Sequence, residues 1–230
     1  MRVGIIGGTG PAGSGLGLRL GVGGHDIVIG SRSKDRAQEV VGQLIAQWSG
    51  YKCSVSGGSN AQAAACDLIV IATPWDSAAT TAGEHSEALR GKIVITMANA
   101  LVRVGNEFEP LIPPRGSIAG HVQAAIPQSK VVAAFQHLPA KELGNLEHKV
   151  DSDVLICSDY PDAIEVVSDL VMSIPGCRPL NTGGLSNALA LEAFTAVLLQ
   201  LNVRYKTRVA PRLTGIPDHD PVSGRKIPSL

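Results

Sequence analysis

Gly8, Gly10 and Gly13 stand at G-x-G-x-x-G spacing in the stretch GGTGPAG. They follow a short apolar run and open a segment of helical composition, the context in which that spacing has a use. The first glycine permits a tight turn, and the second leaves the backbone bare where a pyrophosphate approaches. The third lets a helix close on a strand. Free N–H groups at the helix N-terminus then face the anion. The phosphate turn is thus read as Thr9, Gly10, Pro11 and Ala12. Some twenty residues on, the chain reads GSRSKDR, with Ser31, Arg32 and Arg36. No acid directly follows Ile29, where a site that holds a ribose 2′-hydroxyl carries Asp or Glu. A hydroxyl and two guanidinium groups suit a 2′-phosphate instead. These residues predict NADP rather than NAD. The bland alternative is a glycine-rich connection followed by solvated residues that open a helix.

Other chemistry is sparse. The histidines are His25, His85, His121, His137, His148 and His219. His137, in FQHLPA, follows an apolar run and so stands where a ligand of this sheet type would lie. His25 reads as structural. No Ser/Lys/Tyr or His/Asp arrangement of known spacing is present, so no side chain is assigned a catalytic role. An alcohol dehydrogenase needs a group for the hydroxyl proton. Hydride transfer between two coenzymes rests on juxtaposition and exclusion of water. Cys53, Cys66, Cys157 and Cys177 form no CxxC pair and have no histidines at zinc spacing. They read as reduced packing residues, and no metal site is expected.

These residues need a scaffold. Apolar runs at Arg2–Ile6, Asp26–Ile29, Leu68–Ala72, Lys92–Thr96 and Lys130–Phe135 read as strands. Helical segments are expected at about 12–22, 34–48, 76–89 and 117–126, the last N-capped by Ser117 and closed by Pro127. The alternation predicts an α/β fold, a Rossmann-type doubly wound parallel sheet, over residues 1–140. A smaller α/β domain is expected over 141–230, with strands at Val154–Cys157 and Cys177–Leu180 and helices at 161–173 and 185–203. A polar, proline-bearing tail runs from Arg204 to Leu230. Lys plus Arg and Asp plus Glu both number 20, and aromatic residues make up 3%. That balance argues against a nucleic-acid or membrane-surface partner. No signal peptide and no apolar run of transmembrane length is expected, so the reading is cytoplasmic.

The stretches MRVGIIGGTGPAGSGLGLRL, IVIGSRSKDRA, TPW, KVVAAFQHLPA and GGLSNALALEAF resemble, in order and spacing, the NADPH-dependent reductases of coenzyme F420, an 8-hydroxy-5-deazaflavin. The resemblance runs from Met1 to about Val203. It implies hydride transfer between NADP(H) and the deazaflavin as co-substrate. It also implies that Thr73 and Pro74 border the ribose and nicotinamide. Met97, Ala98 and Asn99, then Gln136, His137, Leu138, Pro139 and Ala140, would complete the ligand-facing edge. Deazaflavin would stack there on nicotinamide under the smaller domain. Arg204, Lys206 and Arg208 are candidate partners for its phosphate and glutamate tail. TMANAL, the glutamine of FQHLPA and the long tail depart from the family pattern. Two alternatives stay open: an NADP-dependent reductase of an imine, flavin or ferric chelate, and a non-catalytic NADPH-sensing module. Residues 185–199 are apolar on nearly every face and must be covered all round. A homodimer packed through this helix is the expected solution, and a purely internal core helix is the other.

Overall fold

The structure is a computed structural model that describes residues 1–216. His219 and the rest of the expected tail beyond 216 lie outside the described residues. The chain opens β1 (Arg2–Ile6), α1 (Pro11–Val22), β2 (Asp26–Ser31), α2 (Lys34–Gln47), β3 (Ser54–Ser59), α3 (Asn60–Ala64) and β4 (Leu68–Ile71). It continues α4 (Trp75–Glu84), α5 (Ser86–Leu89), β5 (Ile93–Thr96), β6 (Leu101–Val104), β7 (Glu107–Pro110), α6 (Ile118–Ala125) and β8 (Lys130–Ala133). Then follow α7 (Ala140–Leu143), β9 (Ser152–Ile156), α8 (Pro161–Met172), β10 (Cys177–Asn181), a 3-10 turn (Leu185–Asn187) and α9 (Ala188–Tyr205).

Six strands form one parallel sheet in the order β3-β2-β1-β4-β5-β8. This is the Rossmann order, and its strand sequence reverses between β1 and β4. Central strands with helices on both faces are apolar throughout, as LIVI of β4 shows. A parallel pair, β9 and β10, meets the open β8 edge through an antiparallel bridge between Ala133 and Cys157. Val154 and Ile156 of β9 and Ile164 and Val167 of α8 share one core with Val3 and Ile5 of β1. Ser117 caps α6 as its position suggested, accepting from the Gly120 N–H at 3.0 Å.

Four features differ from the sequence expectation. β3 and α3 were not anticipated. Neither was the antiparallel hairpin β6–β7. The strand expected through Phe135 ends at Ala133, because Phe135 turns at φ 68. Finally, the expectation that no segment reaches transmembrane length is corrected. Leu185–Tyr205 is long and apolar enough to cross a membrane by length and composition alone. Here α9 packs on β7 and α6. The four cysteines are free among the described residues, and burial pushes the Cys157 and Cys177 thiols up to about 12. Thiols so disposed are packing groups, not nucleophiles.

Candidate functional site

All parallel strands end on one edge of the sheet, which therefore gathers the loops after β1, β2, β4, β5 and β8. The turn after β1 is set by its glycines. Gly7 takes φ 69, and a Cβ there would stand 2.4 Å from Thr73 Cγ2. The Gly8 N–H donates to Gly30 O at 2.9 Å. A Cβ on Gly13 would lie 2.7 Å from Gly8 Cα and 3.0 Å from Ala72 Cβ, so this glycine lets α1 close on the sheet. Gly10 is different: a Cβ there would meet nothing within 4 Å. The chain's own packing does not require glycine at that point, whereas a pyrophosphate over the α1 N-terminus does. Pro11 occupies the first helical position, where its missing N–H costs nothing.

β2 ends at Ser31, beside that turn, and Arg32 and Arg36 are exposed there. Ser33 caps α2 by accepting the Arg36 N–H at 3.2 Å, and Ser31 Oγ accepts the Ser33 N–H at 3.2 Å. The Arg36 guanidinium lies 2.8 Å from Glu39 in a half-exposed ion pair. Such a pair is worth about 0–1 kcal/mol. Asn60, which sequence reasoning missed, ties the neighbouring loops together: its Oδ1 accepts the Gly7 N–H at 3.1 Å. After β4, Thr73 Oγ1 is buried with no partner among the described residues, and Pro74 caps α4.

Beyond β5 and β8 lies a cavity of about 1110 Å³. One wall is Asn99 with Gln136, His137, Leu138, Pro139 and Ala140. Thr195, Leu198, Leu199 and Asn202 of α9 form the opposite wall, and Lys206–Val209 follow the helix around the rim. The two walls are stitched together. Asn99 Nδ2 donates to Gln136 O at 2.9 Å, and Thr195 Oγ1 lies 3.2 Å from Asn99 Oδ1 and 3.3 Å from Gln136 O. The turn at Phe135, a fully buried aromatic in the left-handed region, aims Gln136 O at these partners. Strain of that kind gathers at functional sites and costs about 1–3 kcal/mol.

Two side chains in this wall carry buried polar atoms without a partner among the described residues. Gln136 is 5% exposed, yet both its side-chain oxygen and nitrogen are buried without a partner among the described residues. Orphans of this kind are rare and need a reason. His137 is also buried. Its Nε2 stands 3.1 Å from both Asp153 O and Leu155 N, while Nδ1 has no partner among the described residues. Burial lowers its pKa to about 4 and keeps the ring neutral. Met97 and Ala98 are buried against the sheet and do not line the cavity. Of the three cations suggested for an anionic tail, Lys206 and Arg208 lie on the rim, joined by Lys141. Arg204 lies elsewhere, 3.6 Å from Glu107 of the hairpin. Among the described residues no group of three or more His, Cys, Asp or Glu side chains is placed to hold a metal ion.

Residues 2–100 match the family model described as NADP oxidoreductase, coenzyme F420-dependent. A curated F420-dependent NADP reductase from Methanocaldococcus jannaschii is 36% identical over 213 residues, covering 90% of this chain and 95% of that protein. The chain belongs to the F420-dependent NADP reductase family. A second family member, from Methanothermobacter thermautotrophicus, is 32% identical over 229 residues and matches 96% of this chain and 97% of its own. The fold agrees with that of an Arthrobacter sp. FB24 crystal structure assigned provisionally to the same activity. Its TM-score is 0.73 at 24% identity, over 90% of this chain and 96% of that one. Membership extends past the glycine turn to the cavity wall and α9, because the curated matches span nearly the whole chain.

Proposed function

We propose that this protein is an oxidoreductase that moves a hydride between NADP(H) and coenzyme F420. The two coenzymes supply the redox chemistry, the hydride passing directly between their rings. The chain's residues bind, orient and exclude water. Bare backbone at Gly10 and the N–H groups of the first α1 turn receive the pyrophosphate. Ser31, Arg32 and Arg36 receive the 2′-phosphate, and Thr73 and Pro74 border the ribose and nicotinamide. Met97 and Ala98 back the nicotinamide from within the sheet edge.

The observation that carries this reading is the cavity beside that edge, with the unsatisfied amide of Gln136 in its wall. A carboxamide offers a donor and an acceptor side by side. The pyrimidinedione edge of a deazaflavin offers the complementary pair. Asn99, His137, Leu138, Pro139 and Ala140 shape the rest of the wall. Lys141, Lys206 and Arg208 at the rim suit an anionic tail. The division near Ala140 then separates an NADP-holding half from a roof over the second coenzyme.

We further propose a homodimer. The outer face of α9 and the hairpin packed on it leave Val197, Val203, Tyr205, Val102 and Val104 substantially exposed. The four free thiols, three of them buried, and the zero net charge fit a cytoplasmic enzyme without a membrane or nucleic-acid partner.

The test mixes protein, NADPH and oxidised 8-hydroxy-5-deazaflavin and follows loss of the deazaflavin visible absorbance, beside reactions offering an imine, a flavin or a ferric chelate. Turnover of the deazaflavin well above the others is expected. Preference for another acceptor would reassign the substrate, and NADPH binding without any turnover would make this a sensing module.

A further inference from the structure

Arg19 is a charged residue in the last turn of the apolar helix α1, and it is 4% exposed. Its guanidinium meets no carboxylate at ion-pair distance among the described residues. It donates instead to four backbone carbonyls of one short turn. Nε donates to Leu143 O at 3.1 Å, and the two hydrogens of Nη2 are shared among Glu142 O and His148 O, at 2.8 Å each, and Asn145 O. Glu142 O and Leu143 O lie at the C-terminal end of α7, which favours a cation, and Asn145 O and His148 O follow in the loop beyond it. Burial lowers the Arg19 pKa. A buried guanidinium is retained when its planar fork fixes geometry that a flexible ammonium cannot.

A second contact joins the same two elements. Gly15 of α1 packs so closely that a Cβ would stand 2.9 Å from both Gly144 N and Leu143 Cβ. On its other side this segment faces the cavity. Lys141 and Glu142 line it, and the Glu142 carboxylate holds Arg208 of the rim at 2.6 Å.

Resting on the function proposed above, we propose that Arg19 is a positioning residue that couples the two coenzyme sites. One end of α1 carries the phosphate turn. Arg19, two turns on, grips the backbone behind Glu142. Any displacement of α1 on pyrophosphate binding reaches the deazaflavin wall through this grip and through the Gly15 contact.

The test uses the full chain with both coenzymes oxidised, so that no turnover occurs. Dissociation constants for NADP+ and for oxidised deazaflavin are measured alone and with the other at saturation. In the unaltered protein, NADP+ should tighten deazaflavin binding by about 5-fold or more. Arg19→Lys should bind NADP+ alone within about 2-fold of the unaltered protein, bind deazaflavin about 10-fold more weakly, and show a mutual factor near 1. Amide exchange over residues 142–148 should slow with NADP+ in the unaltered protein and not in the variant. Folded Arg19→Lys that keeps the mutual factor, or that weakens both ligands equally, would overturn the proposal. If Arg19→Lys does not fold, Gly15→Ala, which wedges the same contact, decides by the same readings. If the unaltered protein binds NADP+ but no deazaflavin, the function reading fails. The exchange measurement then still supports or overturns the α1 coupling by itself.

Discussion

At the scale of single residues, the phosphate sites and the cavity wall make opposite demands. Arg32 is exposed, so its loss should leave the fold intact while removing a charge-assisted contact to the 2′-phosphate. Arg32→Ala is expected to weaken NADPH by about 10- to 150-fold and NADH hardly at all, since such a bond is worth about 1.5–3 kcal/mol. Titration of both cofactors by fluorescence checks this, and equal weakening would place the 2′-phosphate elsewhere. Gln136 is the reverse case. Its buried amide lacks partners among the described residues, and an unsatisfied buried group costs about 1–3 kcal/mol. Gln136→Met should raise the ligand-free protein's stability to urea by that order while weakening deazaflavin binding. A less stable variant would mean the amide has partners in the folded protein. The phosphate residues were legible in the sequence because their logic is local: GxGxxG after an apolar run, and basic residues in place of an acid after the next. The loop Gln136–Ala140 was legible only as a position following a strand. What shapes it is nonlocal. Phe135 is buried in a left-handed turn, Thr195 reaches across from α9, and β9 holds the His137 ring. A lone threonine in the apolar run of α9, and a lone arginine in that of α1, were the signals available.

At the scale of elements, α9 does more than cover the sheet. Glu192 points inward from it and accepts the Ile118 and Ala119 N–H groups at 2.9 and 3.0 Å, so α9 caps the N-terminus of α6. Burial raises its carboxyl to about 7, against the lowering effect of those two donors. A raised native pKa contributes stability that is complete below the unfolded value near 4.5 and is lost as pH rises through about 7. His137, lowered to about 4, runs the other way: its contribution is present above 6.5 and is lost as pH falls. The two slopes oppose each other between them. Glu192→Gln should unmask the histidine, giving stability that climbs from about pH 4 to 6.5 and then levels. The difference in unfolding free energy between the unaltered protein and this variant should shrink as pH rises from 4.5 to 7, by at most about 3 kcal/mol. Urea melts at four pH values measure it, and a pH-independent difference would contradict the assignment. Periodicity marked most helices and strands, yet it missed β3. Its sequence SVSGGS lacks the β-branched run of a strand because α2 crosses directly over it, and a Cβ on Gly57 would sit 2.5 Å from the Ala37 carbonyl carbon. Glycines that break a pattern locally are here what tertiary packing demands.

At the scale of the whole molecule, the apolar character of α9 divides between two surfaces. Leu198 is buried within the protomer and lines the cavity, whereas Val197 is 51% exposed beside it in sequence. Val197→Glu should therefore leave the protomer folded and lower the mass in light scattering from about twice the 23.9 kDa chain toward that of one chain. An unaltered, active protein that is already a monomer at micromolar concentration would remove the dimer from the account. Leu198→Glu, by contrast, tests the cavity. The sequence made the need for cover on α9 legible, but not its partition, because which side chains meet the cavity depends on how the helix packs on β7 and α6. The central claim is that this molecule brings two coenzymes together for direct transfer. It is tested by offering oxidised deazaflavin with NADPH carrying deuterium at C4 on either face in turn. The account predicts that deuterium from one face appears at C5 of the reduced deazaflavin, with none exchanged into solvent. Deuterium found only in water, or reduction from both faces alike, would contradict it.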